Sequence, residues 1–117
     1  MAAYDKKMKK IISYDKENDI LSIHKGFTSD EQFKGNIDLG DIILDVSTKK
    51  RVKGIEIMHA TNVLQEFHID QHSLTSLSNA DFSATIKPQS IIISIILKVK
   101  DGLQDIPVKI AVPLIRH

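Results

Sequence analysis

The stretch Ile91-Ile92-Ile93-Ser94-Ile95-Ile96-Leu97-Lys98-Val99-Lys100 decides the fold. Residues 91, 93, 95, 97 and 99 form an unbroken apolar face at a period of two, the period of a β-strand. Helical spacing would scatter the same residues around the whole circumference. The β-branched isoleucines suit a pleated surface. The opposite face is mixed, with Ser90, Ile92, Ser94, Ile96, Lys98 and Lys100.

Working outward, Asp101-Gly102 reads as a hairpin signal. Beyond it, Ile106, Val108, Ile110, Val112 and Leu114 form a second apolar face, opposite Pro107, Lys109, Ala111 and Pro113. The two prolines have the same parity, so both missing N–H groups fall on one side of that strand. Such a strand belongs at a sheet edge with that side outward. On the other flank, Phe82, Ala84 and Ile86 alternate with Asp81, Ser83 and Thr85, and Lys87-Pro88-Gln89-Ser90 supplies a turn. The expectation is a three-strand antiparallel meander over 80–115 with Ile91–Lys100 in the centre.

Towards the amino terminus the strand signal recurs. Met8–Tyr14, Ile20–Lys25, Asn36–Val46 and Val52–Met58 read as four strands forming a unit over 9–58, with Gly40-Asp41 marking a bulge or bend inside the third. Residues 1–8 read as a flexible tail. Residues 59–79 lose the alternation and predict two short helices. The first carries Val63, Leu64 and Phe67; the second is capped by Asp70 and carries Leu74 and Leu77. The fold class expected is α+β, mostly β: antiparallel sheets forming a sandwich or roll within a single domain of 117 residues. Ile92 and Ile96 lie on the second face of the central strand, which then needs a cover. Either the front-half strands or another subunit supplies it.

The front half resembles a prokaryotic family, the domain of unknown function 2283, over about residues 9–62. The resemblance rests on three pieces in order: Tyr14-Asp15-Lys16-Glu17-Asn18-Asp19-Ile20-Leu21-Ser22-Ile23, then Ile42-Ile43-Leu44-Asp45-Val46, then Val52-Lys53-Gly54-Ile55-Glu56-Ile57-Met58 followed by Ala60. It implies a β-rich front unit with a C-terminal extension, and it implies no activity, cofactor or catalytic residue.

Composition sets the function classes. Apolar residues make up 42% and charged residues 26%, and the formal charge is +1. Residues 1–60 hold eleven Lys/Arg against ten Asp/Glu, and residues 61–117 hold five of each, so no half presents a global footprint for nucleic acid. The chain has no cysteine, which removes disulfides, thiolate metal sites and a Cys nucleophile. The polar opening predicts no secretory signal, and Ile91–Leu97 is too short to span a bilayer. A cytoplasmic protein with no membrane association is expected.

The local candidates are few. His68-Ile69-Asp70-Gln71-His72 offers two imidazoles and a carboxylate that suit zinc, with His24 or His59 as distant further ligands, although a cap at Asp70 breaks the shared helical face. The basic turn Lys49-Lys50-Arg51-Val52-Lys53 offers phosphate contacts for a nucleic acid, extendable by Lys6, Lys7, Lys9 and Lys10, but without interleaved aromatics for stacking. Asp38, Asp41 and Asp45 read as the exposed face of a strand. Ser22, Ser83 and Ser94 lack a nucleophile-elbow context. No catalytic residue and no cofactor is expected. The leading expectation is a non-enzymatic protein-interaction module, a homodimer through the face of Ile92 and Ile96. A nucleic-acid-associated regulator and a metal or small-ligand binder are the alternatives.

Overall fold

The computed structural model describes residues 10–100 and 105–114. The expected tail, Lys6, Lys7, Lys9, the first residues of the opening strand and the Asp101-Gly102 turn lie outside the described residues.

Among the described residues, eight strands form two antiparallel sheets. The front sheet has β1 (Ile11–Asp15), β2 (Ile20–His24), β3 (Phe33–Asp38), β4 (Ile42–Ser47) and β5 (Val52–Met58), in the spatial order β1-β2-β5-β4-β3. The back sheet is a meander of β6 (Leu77–Ile86), β7 (Ser90–Val99) and β8 (Ile106–Pro113), with β7 central. Between the sheets run α1 (Ala60–Val63), a 3-10 turn (Gln65–Phe67) and α2 (Gln71–Thr75). The α+β, mostly β architecture matches the sequence reading, as does the place of Ile91–Val99 at the centre of its sheet.

One hydrophobic cluster runs through both layers. Leu21, Ile23, Leu44, Ile55 and Ile57 come from the front sheet, Leu64 and Leu74 from the helical link, and Ile91, Ile93, Ile95, Leu97 and Val108 from the back sheet. Each is fully buried, and each large aliphatic side chain so buried is worth roughly 1.5–3 kcal/mol. Helices of one turn are not stable alone, so this packing holds α1 and α2. Among the described residues no helix is long and apolar enough to cross a membrane.

Three details differ from the sequence reading. Asn36–Val46 is not one strand but parts of two. Leu39 N–H donates to Ile42 O at 2.8 Å, which closes a two-residue hairpin loop at Gly40-Asp41. Gly40 has φ +91°, a conformation that glycine adopts without strain, and its N–H donates to Asp38 Oδ1 at 2.9 Å. The front sheet therefore has five strands rather than four. Leu77 begins β6 instead of ending α2, because Lys100 N–H donates to Ser76 O at 2.8 Å and draws the chain into the sheet there. Finally, the front sheet and the helical link both cover the odd face of β7. They leave Ile92 half-buried and Ile96 48% exposed on the other side.

The parity of the prolines is borne out. Leu114 N–H donates to Gln89 O at 2.8 Å, and β7 pairs with β8 in continuous register from Ser90↔Pro113 to Leu97↔Ile106. Even-numbered residues of β8 therefore bond to β7, and Pro107 and Pro113 turn their nitrogens to the free edge.

Candidate anion-binding cleft

The site is assembled around a buried carboxylate. The loop after β2 carries Glu31, whose side chain is 0% exposed. Its Oε2 lies 2.9 Å from Lys53 Nζ and accepts from Thr28 N–H at 3.0 Å. Its Oε1 accepts from Ser47 Oγ at 2.9 Å and from Arg51 Nη1 at 3.3 Å. Burial alone would push this carboxyl up. The hydrogen bonds from Thr28, Lys53 and Ser47 outweigh it and hold the group down at about 2. Glu31 is thus an anion that clamps the loop to the β4–β5 turn.

The turn is ordered by the same residues. Lys50 N–H donates to Ser47 O at 2.8 Å, and Lys50 sits in the left-handed region at φ +62°. Ser47 Oγ also accepts from the N–H of Lys49 at 3.1 Å and of Arg51 at 3.4 Å. Arg51 reaches Asp30 Oδ1 at 3.8 Å, and Thr28 Oγ1 donates to the same Asp30 oxygen. Lys25, at the end of β2, donates its N–H to Lys53 O at 2.8 Å and sets its Nζ 4.9 Å from the centre of the Phe82 ring.

These placements open a cleft of about 410 Å³ between the sheets. One wall holds Lys25, Lys50, Arg51 and Lys53; the other is β6 at Ser83, Ala84 and Ile86. Lys53 and Arg51 are engaged by Glu31. Lys25 and Lys50 have no carboxylate partner among the described residues.

The basic turn named from sequence therefore contributes three of its four cations, with Val52 between them, to the cleft, and Lys49 lies outside its walls. Lys25 and Glu31 were not singled out in the sequence, and β6 was read there as a strand without a binding role. A lone lysine before Gly26 and a glutamate in a polar loop carry no local signal. His68, Asp70 and His72 do not converge. His68 ends the 3-10 turn at φ +60°, which breaks the helix, and Asp70 Oδ1 accepts from Ser73 N–H at 2.9 Å as the cap of α2. Among the described residues no group of three His, Asp or Glu is placed to hold a metal ion. The three aspartates are separated as well. Asp38 bonds to Gly40, Asp41 lies 3.1 Å from His59 Nδ1, and Asp45 accepts from Asn36 Nδ2 at 2.5 Å.

The cationic wall and its buried anchor all fall within β1–β5 and their connections. Residues 11–60 match the family described as protein of unknown function (DUF2283). The matched segment is thus the whole front sheet, and the helical link and back sheet extend it. An uncharacterised protein of Methanocaldococcus jannaschii is 37% identical over 67 residues, covering 57% of this chain and 53% of that relative. The matched region spans about half the length of that curated relative. No solved structure matches the chain. The cleft lies at the seam, with cations from the matched segment facing a strand of the extension.

Proposed function

We propose that this protein is a non-enzymatic binding module that holds an anionic partner in the cleft between its two sheets. The observation that carries this reading is the convergence of Lys25, Lys50, Arg51 and Lys53 on one wall, two of them without a counter-charge among the described residues. Cations held close together on one wall of a cleft attract an anion more strongly than isolated surface charges do. Glu31 supports a structural rather than a proton-transferring role for the cluster, since its strongly lowered pKa commits it to the anionic form at neutral pH.

The test is salt-dependent retention on immobilised heparin, a generic polyanion. The native protein is expected to be retained at low salt and released as salt rises. The Lys25→Glu/Lys50→Glu variant is expected to flow through. Equal retention of the two proteins would remove the cleft from consideration.

Self-association is a second reading, supported by the outer face of the back sheet. Ile96 is exposed there beside half-buried Ile92, and a second copy would cover both. Sedimentation equilibrium is expected to show dimer in the native protein and monomer in Ile96→Asp. Monomer alone at high concentration counts against it.

A further inference from the structure

The free edge of β6 is divided in two. Lys87 N–H donates to Ser90 O at 2.8 Å where the β6–β7 turn closes, and the register runs unbroken from Ile86↔Ile91 to Asn79↔Lys98. In an antiparallel ladder this turns odd-numbered β6 residues towards β7 and the N–H and C=O groups of even-numbered residues towards the free edge. Two of those edge donors are occupied. Ala80 N–H donates to Asn79 Oδ1 and Phe82 N–H donates to Asp81 Oδ1, both at 2.9 Å. No described side chain does the same for Ala84 or Ile86. The edge is closed over its first half and open where it forms the wall of the cleft. On the other edge of this sheet Pro107 and Pro113 remove two of the outward donors, while those of Lys109 and Ala111 between them still face outward.

We propose that the cleft takes an acidic peptide in extended form, which adds as a strand to β6 at Ala84 and Ile86 and sets alternate carboxylates against Lys25, Lys50, Arg51 and Lys53. This rests on the anion-binding reading of the cleft. Three observations select a peptide from among the polyanions. An open strand edge presents donors and acceptors in alternation, and a peptide backbone supplies both, whereas a phosphodiester backbone supplies acceptors alone. The ring at the cleft's edge is Phe82, which is 4% exposed and lies under Lys25, so it offers no platform for a nucleic-acid base. Ile86 is 52% exposed and sits on the wall opposite the cations, beside half-buried Ala84. An added strand covers it. Strand periodicity then asks for acidic residues at every second position of the partner, over roughly four residues or about 14 Å.

The probe is a fluorescently labelled peptide of alternating Glu and Val, about eight residues long, compared by anisotropy with two analogues N-methylated on the Glu set or on the Val set. Only one set faces β6 in a given register. One analogue is therefore expected to lose roughly tenfold or more in affinity while the other keeps the parent's affinity. Ala84→Pro removes an edge donor without changing charge, at a position where proline is tolerated. It is expected to keep its thermal transition and lose a similar factor. If that variant does not fold, the N-methylated peptides carry the test alone. Equal binding of all three peptides overturns strand addition and leaves the anion cleft standing. So does a heparin-retained protein that ignores the parent peptide, or that binds single-stranded oligonucleotide more tightly than the peptide. Loss of both heparin and peptide binding overturns both readings.

Discussion

Asp19, in the turn between β1 and β2, caps a helix that begins far along the chain: its Oδ2 accepts from Thr61 N–H at 3.2 Å and from Thr61 Oγ1 at 2.7 Å. Its Oδ1 accepts from Tyr14 OH at 2.6 Å, and its backbone O accepts from Ala60 N–H at 2.9 Å. His59, which precedes α1, provides no side-chain cap. The front sheet therefore closes the first turn of the helical link itself. Asp19→Ala is expected to cost about 1–2 kcal/mol in urea denaturation. Asp19→Asn is expected to cost less, because Asn tolerates the left-handed φ of +57° and keeps one acceptor oxygen.

Glu31 predicts an acid limb in the stability profile. Its folded pKa of about 2 lies below the ordinary value of 4.5, so the unfolded chain takes up the proton first as pH falls. The stabilisation is complete above pH 4.5 and is lost progressively towards pH 2. Glu31→Gln removes the share of that limb due to Glu31, leaving those of Asp15, Asp19, Asp30 and Asp70, and at neutral pH leaves Lys53 with a 12% exposed side chain and no Glu31 counter-ion, at a cost of about 3 kcal/mol. Denaturant titrations of both proteins between pH 2 and 7 check the two statements together.

His24 behaves in the same sense at higher pH. Burial pushes its pKa below 6.5, with Lys53 adding to the effect against the opposing pull of Asp45 and Glu31. Its Nδ1 accepts from Gly26 N–H at 2.8 Å, a bond that requires the neutral ring. Its contribution to stability is present above pH 6.5 and declines as pH falls through the folded value. An NMR titration is expected to place the His24 midpoint below 6.5. A midpoint at or above 6.5 would show that burial does not dominate there.

Gly54 lies between His24 and Asp45 on the outer face of the front sheet. A Cβ at this position would stand 2.7 Å from His24 Cδ2 and 2.8 Å from Asp45 Oδ2. The His24 ring is held by Gly26 and packs edge-on against Phe27 at 4.9 Å, so it yields poorly. Gly54→Ala is expected to lower the melting temperature, at a cost of about 1–3 kcal/mol. His24→Ala in the same chain is expected to recover part of that loss, and strict additivity of the two changes would exclude the clash.

Ile95 and Ile96 are neighbours in β7 with opposite environments, one buried in the shared core and one facing out. Ile95→Asp is expected to abolish the cooperative thermal transition, because a carboxylate there has no partner. Ile96→Asp is expected to keep it. A normal transition in Ile95→Asp would contradict the placement of β7.

Much of the back sheet was legible in the sequence because its signals are local. Alternation over nine residues places Ile91–Val99 between two strands, the parity of Pro107 and Pro113 sets the edge and its outward side, and Asp70 marks the start of α2. The hairpin at Gly40-Asp41 was half legible. A glycine stood where the chain turns, but the apolar residues on both sides kept strand parity and masked the reversal.

Residue order alone determined the β class, the central strand and the proline edge, since each follows from a period of two or from a donor missing at a known position, and the front unit's likeness to the DUF2283 family rested on its short motifs in order. The tertiary structure alone decided that Asp19 caps a helix at Thr61, that Glu31 lies under Lys53 and Arg51, and that Lys25 faces the open end of β6. Those relations join residues from separate strands. They arise from strand order, register and the meeting of two layers, which are properties of the packed whole and leave no periodic trace in any one segment.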